Sequence, residues 1–167
     1  MTPSWTYTES YVKELYEAIG IFSPEQLDFQ TIAHRLSANV FYWQETSQAL
    51  FFNNRGYIML DETLSPQQQW QDFCHELAHV LLHTGSQSRL PQSFVEYQEY
   101  KANHFMYHAA MPTFMLRELP LQDATTNNVR LVQQLFNVEQ DFAEKRLTTY
   151  LERQRDMLNW NTYFYSR

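Results

Sequence analysis

One stretch of this chain leaves little freedom for the rest. Ser65-Pro66 is a strong helix start, a hydroxyl cap followed by proline where its missing N–H costs nothing. The apolar spacing behind it predicts a helix to about His83, closed by Thr84-Gly85. Within that helix stands His75-Glu76-Leu77-Ala78-His79. Residues four apart on a helix are rotated by about 40° and displaced by about 6 Å, so both imidazoles can converge on one cation. Glu76 lies beside them, placed to accept a proton from a water rather than to hold the cation. With six histidines in 167 residues, such a string arises by chance on the order of 2% of the time. A third ligand therefore decides the reading.

A catalytic zinc takes three protein ligands and keeps one position open. The metzincin arrangement would need Gly and His where this chain has Leu82 and Gly85, so it fails. A Glu on the following helix is the other solution, and Glu99-Tyr-Lys-Ala-Asn103 supplies one. Glu99 completes a His2Glu set, with Asn103 one turn on to hydrogen-bond a ligand imidazole and fix its tautomer. Glu96 is the rival ligand, disfavoured because it lacks a partner at that offset. His83 continues the face of His79; as a ligand it would crowd the site, and a hydrogen-bonded supporting role is preferred. His104 and His108 imitate a metal pair without a carboxylate, which favours solvent-facing or groove-lining positions. One of these two, or Tyr97, Tyr100 or Tyr107, could stabilise the oxyanion formed in hydrolysis, and the sequence does not choose among them. Ligand type and availability favour Zn²⁺, one per chain, over other divalent ions.

The remaining patterns describe what surrounds that helix. Apolar residues at helical spacing predict helices over 8–19 and 28–37. Residues 39–43, 49–53 and 56–61 are short, aromatic and branched, with Asn53-Asn54-Arg55-Gly56 as a hairpin loop, which predicts an antiparallel meander. A helix follows over about 95–110, stopped by Pro112. Residues 127–158 read as two helices around Asn137, followed by an aromatic tail. The fold class is thus α+β, a small antiparallel sheet packed with helices. The expected organisation is one domain over 1–167, with a core over 1–126 and a helix-turn-helix-like extension over 127–167. Cys74 is read as a small buried thiol and, being the only cysteine, leaves no intrachain disulfide.

Composition removes several partners. A net charge of −7 is at odds with a basic stripe, so direct nucleic-acid binding is not expected. Three glycines and no Gly-rich string argue against a phosphate loop. No apolar run approaches the ~20 residues of a membrane span, and the N-terminus lacks a secretory pattern. A cytoplasmic protein is the expectation.

Trp70-Gln-Asp-Phe73-Cys-His75-Glu76-Leu-Ala-His79-Val-Leu-Leu-His83, then Glu99-Tyr-Lys-Ala102-Asn103-His-Phe105, then Met111-Pro112 resembles the ImmA/IrrE family of metallo-endopeptidases. The likeness extends over residues 28–150 and departs at Ala78, Lys101, Met106 and His108-Ala-Ala110, none of them a proposed ligand or base. It implies a zincin-like fold and cytosolic zinc proteolysis of a protein substrate, a helix-turn-helix transcriptional repressor, in stress responses or mobile-element induction. The reading from another class is a catalytically quiet, zinc-stabilised module that binds or senses a regulatory protein. An intact Glu76 beside both histidines favours the enzyme, since a scaffold has no need of a base there.

Overall fold

Each early helix begins where the chain satisfies its own first amides. The computed structural model describes residues 5–53, 55–82 and 90–165, with side chains as far as 159. Helix α1 (Tyr7–Ala18) opens on a reciprocal cap: Thr6 N–H donates to Glu9 Oε2 at 2.7 Å and Glu9 N–H to Thr6 Oγ1 at 3.2 Å. After a 3-10 turn at Pro24–Gln26, Asp28 caps α2 (Phe29–Arg35) by accepting from Thr31 N–H at 2.8 Å. Ser65 and Gln68 repeat the reciprocal cap at the start of α3 (Pro66–Leu82). Next come α4 (Gln92–Ala110) and the short α5 (Thr113–Leu116). Helices α6 (Thr126–Phe136) and α7 (Gln140–Tyr165) turn about Asn137, which takes the left-handed φ of 51°. The α7 backbone runs through the expected aromatic tail as continuous helix. No helix among the described residues is long and apolar enough to cross a membrane.

The three strands are β1 (Asn39–Trp43), β2 (Gln48–Phe52) and β3 (Arg55–Asp61). The α+β class holds, but the sheet is mixed rather than antiparallel throughout. Its order is β1-β3-β2, with β2 antiparallel and β1 parallel to the central β3. The cause lies in Gln44–Ser47, which contains none of the Gly, Asn, Asp or Pro residues of a tight hairpin. These four residues instead arch across the end of β3, where Ser47 Oγ accepts from Asp61 N–H at 3.0 Å and Gln44 bonds Glu62 at 2.8 Å. At the other end, Phe52 already pairs with Arg55 and Asn53 adopts a φ of 50°, so Arg55 and Gly56 open β3 instead of forming the loop.

Helix α3 lies against β3 and β2 on one side and α4 on the other. Ile58, Leu60, Phe73 and Leu77 are fully buried in that layer. Its start is also tied to the α6–α7 corner. Gln67 bonds Asn137 at 3.1 Å, and Gln71 exchanges two bonds with Glu139 at 2.8 and 3.1 Å. Helix α7 reaches the same core through Ala143 and Leu147.

The sheet and α3 meet closely at one glycine. A methyl group at Gly56 would stand 2.6 Å from Cγ1 and 3.0 Å from Cγ2 of Val80, a β-branched side chain that cannot swing aside. Gly56→Ala is therefore expected to cost about 1–3 kcal/mol by overpacking. Because Val80 directly follows His79, the displacement should also weaken metal binding. Denaturant unfolding and metal titration of the variant check both effects, and an unchanged midpoint would contradict the first.

Candidate metal centre

His75 and His79 leave the same side of α3, and their Nε2 atoms stand 3.2 Å apart. Glu99, brought over by α4, places Oε2 3.2 Å from His75 Nε2 and Oε1 3.4 Å from His79 Nε2. Helices α3 and α4 pack directly on each other, with the small residues Ala78 and Ala102 fully buried. A tetrahedral cation with ligands at 2.0–2.1 Å has donor–donor edges of about 3.3–3.4 Å. Measured to the nearer carboxylate oxygen in each case, the side chains approach that spacing; with one donor atom taken from each, they lie within 4.8 Å of one another and form a group able to hold a metal ion. Two imidazoles and one carboxylate are also the donor chemistry of hydrolytic zinc sites. His79 is buried, while His75 and Glu99 are partly open, so the centre faces solvent on one side.

Glu76 occupies a different setting from the donors. It is 8% exposed, and burial pushes its carboxyl up to about 8. A backbone hydrogen bond from Ala49 on β2 opposes that rise, while the charges of Asp72 and Glu99 add to it. A carboxylate held beside the donors, and touched by an edge strand, is positioned to take and return a proton.

The other candidates fall elsewhere. Glu96 is exposed and accepts from Gln92 at 3.1 Å, away from the triad. Asn103 is exposed and, among the described residues, makes no hydrogen bond to either imidazole; it lines a cavity between α4 and α7 instead. His83 lies outside the described residues. His104, which contacts Thr8 Oγ1 at 3.2 Å, and His108, buried against Arg146, take the groove-lining alternative and line the same cavity. Tyr107 stacks on Phe142 at 4.4 Å. Tyr97 and Tyr100 remain exposed on the turns of α4 around Glu99. Cys74 is fully buried and burial raises its thiol well above the ordinary range, which leaves it inert. The Ala49 contact had no signal in the sequence, because it comes from a backbone amide.

Fold and site together place an HExxH helix and a glutamate from the next helix around a point that could hold a metal ion. The chain belongs to the Peptidase_M78 family, described as the IrrE N-terminal-like domain, whose model matches residues 25–148. It is 37% identical over 148 residues to the phage-like element PBSX protein XkdA of Bacillus subtilis (strain 168), covering 89% of this chain and 75% of that one. It is also 35% identical over 145 residues to the uncharacterized protein YqaB of the same organism, covering 87% and 84% respectively. Membership gives the chain a metallopeptidase role, with a metal ion implied.

Proposed function

We propose that the chain is a zinc-dependent endopeptidase that cleaves a helix-turn-helix repressor in the cytoplasm, relieving repression in a stress or mobile-element response. The observation that carries the catalytic part is the convergence of His75, His79 and Glu99 on one point, with Glu76 next to them. His75, His79 and Glu99 would hold the ion. When bound, Zn²⁺ supplies Lewis acidity, polarising a carbonyl and making water a stronger acid. Glu76 takes the proton of the attacking water and returns it to the leaving amine. Its buried position excludes competing water from that transfer.

Cleavage inside a chain, rather than at an end, is supported by β2. It is an edge strand beside Glu76, and the side away from β3 pairs with no other strand among the described residues, so it offers backbone groups to an extended peptide. The mobile-element setting is supported by the name of the relative from a phage-like element. The repressor as substrate rests on the family resemblance.

Incubation of the zinc-loaded chain with a helix-turn-helix repressor encoded beside it tests the reading. Two internal fragments should appear, vanish with a chelator and return when zinc is restored. A repressor that is bound but stays intact with zinc restored would favour the quiet binding module.

A further inference from the structure

Helix α4 has a second working face. Tyr100, Asn103, His104, Tyr107 and His108 recur at spacings of three and four, and with α7 they bound a cavity of about 540 Å³. That is within the size range of small-molecule sites. From α7 come Lys145, Arg146 and Thr149. Among the described residues no acidic side chain lines the cavity, in a chain whose net charge is −7.

Arg146 is the informative residue. It is 3% exposed. Its guanidinium donates to the carbonyls of Tyr107 and Met111 at 3.2 Å, to Thr113 Oγ1 at 2.8 Å and to His108 Nδ1 at 3.2 Å. All four acceptors are neutral. The charge of Glu9 favours the guanidinium, but Glu9 touches Thr113 Oγ1, at 2.9 Å, rather than Arg146, and is itself paired with Arg153 at 2.7 Å. A buried cation without its own carboxylate is costly unless something else supplies the negative charge.

His108 adds a directed donor. Arg146 can only donate, so His108 Nδ1 accepts and the ring proton sits on Nε2. Burial, with the charge of Arg146 beside it, drives the imidazole down to about 2 and keeps it neutral. No acceptor for that Nε2–H stands among the described residues. Around these groups the walls are flat. Tyr100 and His104 stack at 6.4 Å, and Lys145 Nζ lies 4.8 Å over the ring of Tyr107.

We propose that this cavity is a second ligand site, built for a small anion on a flat ring, an aromatic carboxylate or phosphate. Lys145, Arg146 and the His108 Nε2–H hold the anionic group, and Tyr100 and His104 hold the ring. None of these residues is a metal donor, so the site stands independently of the peptidase reading.

The test is a titration of the full zinc-loaded chain with benzoate and phenyl phosphate, using benzamide as the uncharged isostere. Calorimetry gives Kd, and amide NMR shifts locate binding. Benzoate or phenyl phosphate should shift amides around Tyr107 and Thr149, with benzamide about tenfold weaker or worse. Lys145→Glu, at an exposed position, should weaken the anion about tenfold or more. Lys13→Gln on α1 should leave it unchanged. Arg146→Gln removes four buried bonds and can unfold the chain, so the Lys145 variant carries the test. Absence of binding by both anions, or equal binding of benzamide, would overturn the inference. So would binding that is lost in His79→Ala and indifferent to Lys145→Glu, since the anion would then be on the metal.

Discussion

Glu76→Gln should abolish cleavage while leaving metal and fold in place. A positioned general base contributes typically about 10²–10⁴ in rate, and that is the expected loss. Glutamine keeps the shape of the side chain but cannot accept the proton. Metal content should stay at the wild-type value, because the donors are His75, His79 and Glu99. The melting temperature should stay level or rise, since the variant replaces a carboxylate that is only 8% exposed with a neutral amide. Activity within a factor of a few of wild type would remove Glu76 from the mechanism. Loss of both metal and activity would instead show it to be part of the binding set.

The second large effect concerns the third donor. Glu99→Ala should strip the centre of metal, whereas Glu96→Ala should leave it loaded. The two residues sit within one turn of each other on α4, yet only Glu99 lies within 3.2–3.4 Å of the imidazoles. Loss of an outer-sphere partner typically costs 10–100-fold in metal affinity, and loss of a direct donor should exceed that. Metal analysis by mass spectrometry, with a competing chelator to rank affinities, reads the difference. Depletion in the Glu96 variant and retention in the Glu99 variant would reassign the ligand.

How far the sequence carries depends on how local each feature is. The two histidines and Glu76 are one helical turn, so their common face follows from helix geometry alone. Glu99 could be chosen over Glu96 by its offset on the next helix, and α4 does bring it to the imidazoles. The same offset argument failed for Asn103, because its direction depends on how α4 is rotated against α3, which spacing along one helix does not encode. Composition and spacing locate the strands within a residue of their ends but do not identify the partner of β1. A parallel pair gives no turn signal at the joint, and the lack of turn residues in Gln44–Ser47 argues against a tight hairpin without saying which strand β1 joins. His108 and Arg146 are 38 residues apart and share no pattern. Only the docking of α7 on α4 makes them a pair.

The middle strand of the sheet is the last of the three along the chain. On the ribosome β1 and β2 emerge first, and neither has a partner until Arg55–Asp61 follows. Phe41, Tyr42 and Phe52, which stay exposed even in the finished fold, then sit on two open edges, a condition that favours association with other chains. Helix α3 comes directly after β3 and covers Ile58 and Leu60, so completing the sheet and seating the two histidines are one event. The donor triad still waits for α4. A nascent or truncated chain therefore passes through a stage that is sticky and inert, and hydrolytic competence arrives only after its most aggregation-prone surface has been paired.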